Sequence, residues 1–120
     1  MLKLVYTPKA LEDLQEIKTY LMKQFGKQKA KDGVRKITSA ARRLEIFPDE
    51  GSSLEKLIDY PTDYHYLVVK PNYVFYRTED DGVRVIRILN KKQDFLQILF
   101  GINSISEEGE EYWDKMDKQE

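Results

Sequence analysis

The chain has 120 residues and nearly balanced charge, 20 Lys plus Arg against 21 Asp plus Glu, for a formal net charge of -1. That length makes one domain able to bury roughly two-thirds of its unfolded surface, and the absence of Cys excludes disulfides, thiol nucleophiles and thiolate metal sites. A single histidine, His65, argues against a His-based metal centre, so neither a metal nor any other cofactor is expected.

The balance hides an asymmetry. Up to Asn103 there are 18 basic and 14 acidic side chains, whereas residues 104–120 set seven acids against Lys115 and Lys118. The division expected is a mildly basic domain over 1–103 and an acidic C-terminal extension over 104–120. The opening MLKLVYTPK has no apolar stretch of signal-peptide length, and no uncharged apolar run approaches a membrane span. A soluble, cytoplasmic protein with no membrane contact is the expectation.

Leu2 to Tyr6 alternate as a short strand, and Thr7-Pro8 then supplies an N-cap hydroxyl and a first-turn proline. Leu11, Leu14, Ile17, Leu21 and Phe25 recur at helical spacing, with Glu12, Asp13, Glu16, Lys18 and Lys23 expected to face water, and Gly26 ends the helix. A second helix is expected over about Gln28 to Phe47, where Ala30, Val34, Ile37, Ala41 and Leu44 make the buried seam; Pro48 and Gly51 stop it. With so short a joint, the two helices should form an antiparallel hairpin.

From residue 60 the chain turns β-branched and aromatic, giving strands around Tyr64–Val69, Tyr73–Arg77 and Val83–Leu89. Pro71-Asn72 marks one turn and Asp81-Gly82 the next; as a two-residue loop the latter sets Glu79 opposite Arg84, Arg77 opposite Ile86 and Phe75 opposite Ile88. Phe95 to Phe100 is a last apolar segment, a short helix or an edge. In the extension, Ser104 and Glu107 form a capping-box pair ahead of Ile105, Tyr112, Trp113 and Met116, so that segment is expected to be helical or mobile. The fold class is α+β: an N-terminal strand and a two-helix hairpin packed on one face of an antiparallel sheet.

The phosphate-loop, dinucleotide, nucleophile-elbow and H-E-x-x-H patterns are all absent, which argues against a nucleotide enzyme or a serine hydrolase. Two cationic regions remain. Lys23 to Arg43 carries eight cations against Asp32, a surface able to track phosphates or simply a solvated helix face. In the strands, Arg77, Arg84, Arg87, Lys91 and Lys92 are interleaved with Tyr64, Tyr66, Tyr73 and Tyr76. Cations with aromatics suit single-stranded RNA, where phosphates meet charge and bases stack on rings. Tyr64, Tyr66, Tyr73 and Arg87 are the candidate RNA-binding residues. His65, a lone strand histidine without an acidic orienter, reads as structural.

Thr7-Pro8-x-Ala10-x-x-Asp13-Leu14-x-x-Ile17, Phe47-Pro48 followed by Gly51, and the run from Tyr66-Leu67-Val68-Val69 to Asn72-Tyr73-Val74-Phe75-Tyr76-Arg77 together resemble the RelE/ParE superfamily of bacterial type II toxins. The likeness extends through Val85-Ile86-Arg87-Ile88-Leu89 to Asp94, covering residues 2 to about 100. It implies a small α+β toxin neutralised by a cognate antitoxin. RelE-like members cleave mRNA on the ribosome as endoribonucleases, whereas ParE-like members poison DNA gyrase and have no active site of their own.

By that resemblance Arg77 matches the arginine closing the Y-x-x-F-Y-R strand, and Lys91 and Lys92 match the basic pair after the last long strand. These three are the candidate catalytic residues, and RelE-like cleavage with ribosome and mRNA as partners is the first expectation. Asn90 stands where many members carry His, and a neutral amide cannot replace an imidazole in proton transfer. The alternatives are a gyrase-binding, non-enzymatic toxin and a non-toxic protein-binding module.

Overall fold

The computed structural model describes residues 2–102. Strand β1 (Lys3–Tyr6) leads into helices α1 (Pro8–Phe25) and α2 (Lys27–Arg42), and a 3-10 turn covers Arg43–Glu45. The two-residue strand β2 (Ser52–Ser53) and the short helix α3 (Leu54–Ile58) follow. Strands β3 (His65–Val69), β4 (Asn72–Glu79) and β5 (Gly82–Asn90) come next, and helix α4 (Phe95–Phe100) closes the described chain. The acidic extension expected over 104–120 lies outside the described residues.

Local chemistry sets the helical hairpin. Thr7 is extended, its hydroxyl accepts from Ala10 N at 3.0 Å, and the same hydroxyl donates to the Ile86 carbonyl at 2.7 Å, so the N-cap also fastens α1 to β5. Gly26 is C-cap of α1 and N-cap of α2 at once; its φ of 94° is open to glycine at little cost, which makes a one-residue joint workable. The α2 helix stops at Arg42, short of the expected Phe47, because the chain tightens into the 3-10 turn there. That turn buries Leu44 and brings the Glu45 carbonyl within 2.9 Å of Leu2 N at the start of β1.

The five strands lie in the order β1-β5-β4-β3-β2, and β1 runs parallel to β5 while every other pair is antiparallel. The antiparallel sheet expected from the sequence is formed by β2 to β5, and the N-terminal strand, whose direction the sequence left open, joins it in parallel. The cause is topological: β1 is followed by a helical hairpin instead of a tight turn, so nothing forces it to run against its neighbour.

The β4–β5 loop is also one residue earlier than expected, with Asp80 and Asp81 as its two residues and Glu79 opposite Gly82. Arg77 therefore faces Arg84, not Ile86. Gly82 serves the strand instead of the turn, because a Cβ there would sit 2.5 Å from the Lys3 carbonyl oxygen and push β1 away. A bulge between Phe75 and Tyr76 then shifts the pairing so that Phe75 faces Arg87.

Both faces of the sheet are covered, one more than expected. On one, α1 and α2 close over Leu67, Val74, Tyr76, Val83, Val85 and Ile88 with Ala10, Ile37, Ala41 and Leu44. On the other, α3 and α4 bring Leu54, Leu57, Ile58, Phe95 and Leu96 onto Tyr66, Tyr73, Phe75 and Leu89. Phe75 and Phe95 stack there at 5.8 Å. Each large side chain fully buried in these layers contributes about 1.5–3 kcal/mol.

Candidate functional site

The buried face of α1 is rotated from the apolar stripe. Ala10 and Asp13 are its buried residues, while Leu11 and Phe25 are exposed. Ala10 is small enough to bring the helix close to the sheet, and Asp13 then reaches β5. Its carboxylate accepts from Arg87 Nε at 2.7 Å, Arg87 Nη2 at 2.9 Å and Ile88 N at 2.9 Å. The expected solvent position of Asp13 is thus corrected: it is a buried anchor between helix and sheet. The Asp13 hydrogen bond, chiefly, holds Arg87 above the ordinary guanidinium pKa, against the opposing effect of its own burial. The signal in the sequence is an acid placed beside Ala10 and Ile17 on the helix's inward side.

Arg87 is accordingly engaged in a forked ion pair with Asp13 beneath α1. The tyrosines lie elsewhere. Tyr66 and Tyr73 are 2% and 0% exposed within the layer under α3 and α4, so neither offers a ring face to a base. Tyr64 is half-buried and stacks on Phe100 at 5.6 Å. The structure therefore does not assemble the stacking platform that the sequence suggested.

The three candidate catalytic cations are separated as well. Arg77 is paired in register with Arg84 near the β4–β5 loop. Lys91 and Lys92 follow the far end of β5, six residues or more along the strand from Arg84, which is roughly 20 Å. The structure sets Arg77 and the lysine pair toward opposite ends of the β4–β5 pair.

At the first end, the Arg77 and Arg84 side chains are 41% and 42% exposed. Arg84 Nε donates to both Glu79 carboxylate oxygens, at 3.2 and 3.1 Å. Arg77 Nε lies 3.7 Å from Asp63 and 3.8 Å from Glu79, too far for a hydrogen bond, and that buried nitrogen has no partner among the described residues. His65 is nearby on β3 with its ring against Tyr76 at 5.6 Å and Nδ1 3.2 Å from the Asp63 carbonyl oxygen.

At the second end, Asn90 shapes a turn. Its Oδ1 accepts from Lys92 N at 2.9 Å, and its own N–H donates to Gln93 Oε1 at 2.8 Å. The side chain at the histidine-like position is held by backbone, and Lys91 N donates to the Pro71 carbonyl at 3.3 Å.

Between this end and the hairpin runs a groove of about 520 Å³ that the sequence reading missed. Ile17, Tyr20, Leu21 and Phe25 of α1 and Lys29 and Lys36 of α2 form one side. The β3–β4 turn at Lys70-Pro71, Asn90 and Gln93 form the other. Tyr20 and Phe25 are 60% and 61% exposed. Phe25 belongs to the apolar periodicity that reads as core, and only the rotation of α1 by Ala10 and Asp13 leaves it outside.

Among the described residues, no three of His, Asp and Glu gather as a metal site, and no helix is long and apolar enough to cross a membrane.

The family model for the ParE toxin of type II toxin-antitoxin system, parDE, matches residues 4–95. Among solved structures, the chromosomal ParDE TA system from P. aeruginosa is similar at a TM-score of 0.64 and 22% identity, covering 75% of this chain and 96% of that one. The YoeB-YefM complex from Staphylococcus aureus aligns at a TM-score of 0.47 and 18% identity, over 73% of this chain and 94% of that one. A search of curated proteins gives no match.

Proposed function

Since the chain belongs to the ParE toxin family of type II toxin-antitoxin systems, matched over residues 4–95, we propose that it arrests growth as a ParE-like inhibitor of DNA gyrase with no catalytic site of its own. The observation that carries this reading is the separation of Arg77, on β4 opposite Arg84, from Lys91 and Lys92 beyond the far end of β5. Cleavage through the ribose 2′-hydroxyl needs cations at the scissile phosphate and a group to move protons. Here the cations diverge, Asn90 is held in a turn, and the tyrosines that would stack bases are buried or stacked on Phe100.

In this reading Arg77 and Arg84 are contacts for the target. They are large, half-exposed and neighbouring, as interface arginines often are. Lys91 and Lys92 belong to the opposite end and to a different partner, a cognate antitoxin. The site of action is the cytoplasm, where gyrase works.

Controlled induction in growing bacteria tests the proposal. Growth should stop with a DNA-damage response preceding any fall in protein synthesis. Arrest of translation with cut mRNA first would replace this reading with ribosome-dependent cleavage, and continued growth would favour a non-toxic binding module.

A further inference from the structure

The groove between the hairpin and the sheet end has an uneven charge. Lys29, Lys36 and Lys70 line it, against Glu16 and an Asp13 already paired with Arg87. None of these lysines makes an ion pair among the described residues. The floor and lip are apolar and aromatic, with Tyr20 and Phe25 largely exposed. A matching segment would carry several acids around a few large apolar side chains.

The chain itself holds such a segment. Residues 104–120 carry seven acids and two lysines, and among them stand Tyr112, Trp113 and Met116. The segment falls outside the family match, which ends at residue 95. Reach is no obstacle. Gln93 lines the groove and α4 begins two residues later, so the six-residue helix carries the chain only about 9 Å along its axis before Ile102. Ten residues beyond Ile102 span up to roughly 33 Å when extended, comparable with the 38 × 36 × 25 Å extents of the molecule.

We infer that the acidic C-terminal segment of this same chain docks into the groove, with Trp113 and its apolar neighbours against Tyr20 and Phe25 and its carboxylates against Lys29, Lys36 and Lys70. The toxin would thus cover its own basic, apolar surface. This inference is independent of the target, since it depends on the groove and the segment alone.

Trp113 is the only tryptophan, so the fluorescence of the intact chain reports on this segment. Docking should give emission to the blue of a free tryptophan amide and protection from acrylamide quenching, both independent of protein concentration. Lys29→Glu with Lys36→Glu should move emission to the red and raise quenching, with the far-UV circular dichroism unchanged. Should the groove substitutions disturb folding, Glu110→Lys with Glu111→Lys leaves the folded domain intact and should produce the same red shift. Emission like free indole in the unaltered chain would overturn the inference. So would blue emission indifferent to both pairs of substitutions, which would put Trp113 elsewhere, or emission dependent on concentration, which would put it on a second copy.

Discussion

Arg87 and Arg77 are a strand apart and do opposite things. Arg87 lies under α1, its side chain 22% exposed, with two hydrogen bonds to a carboxylate that is itself 8% exposed. Arg77 sits 41% exposed, between two carboxylates that both stay beyond hydrogen-bond distance. The first guanidinium is matched in geometry and number by its partner, so it holds the fold together. The second has charge nearby but no hydrogen bond to it, and its partly exposed side chain is the one proposed to meet a partner. Both looked alike in the sequence, each an arginine set in a strand of β-branched or aromatic residues, and burial alone separates architecture from candidate function.

The sharpest way to break this contrast is at the buried pair. Asp13→Ala should cost roughly 3 kcal/mol by leaving Arg87 partly buried without its carboxylate, read as a lower midpoint in chemical denaturation. Replacing both partners with apolar residues, Asp13→Leu with Arg87→Met, should recover much of that loss. An Asp13→Ala protein as stable as the parent would mean the pair is not the anchor described.

Tyr76 comes next. Its hydroxyl donates to the Pro48 carbonyl at 2.9 Å and accepts from Gly51 N at 3.0 Å, so Tyr76→Phe should cost about 1–3 kcal/mol. Burial, chiefly, holds this phenol above its ordinary value of 10.0. Below that value both folded and unfolded chains keep the proton and the contribution is complete. As pH rises beyond it the unfolded chain releases the proton first, and stability falls. Tyr76→Phe should flatten this alkaline decline, leaving the part contributed by Tyr6, which burial raises likewise.

A milder change sharpens the contrast between the sheet ends. Asn90→His removes the turn hydrogen bond to Lys92 N and should cost about 1 kcal/mol. It restores an imidazole at the histidine-like position, yet programmed ribosomes should still show no mRNA cleavage, because Arg77 remains roughly 20 Å away. Cleavage by this variant would show that the two ends act together.

The smallest stability effect is expected at the exposed arginine. Arg77→Ala should shift stability by less than about 0.5 kcal/mol while weakening target inhibition about tenfold or more, as loss of an interface arginine commonly does. Equal inhibition by Arg77→Ala would remove this end of the sheet from the proposed interface.

Much of the fold was legible in the sequence. Thr7-Pro8, Gly26 and the apolar steps of α1 and α2 mark a hairpin of helices through local rules, and those rules held because caps and joints are local. Strand direction and register were less legible. The parallel placement of β1 depends on a partner some 80 residues away, and Gly82 looked like a turn residue although its role is to admit the Lys3 carbonyl. Residues 54–58 carried too few turns to show a helical period, although Ser53 caps them.

The site was the least legible part. Arg77, Lys91 and Lys92 are close in kind but far apart in space, and Tyr66 and Tyr73 present the same letters whether buried or open. Asp13 was hidden by the rule that acids on helices face water, which fails when a guanidinium waits in the sheet. The groove emerged only with the rotation of α1, which no spacing of large apolar residues conveys.

Titration of the purified, full-length protein into a supercoiling reaction with DNA gyrase tests the central proposal most directly. Supercoiling should fall as the protein approaches stoichiometry with gyrase, and Arg77→Ala should demand substantially more protein for the same loss. Undiminished supercoiling at excess toxin, with mRNA cut on programmed ribosomes by the same preparation, would contradict that proposal.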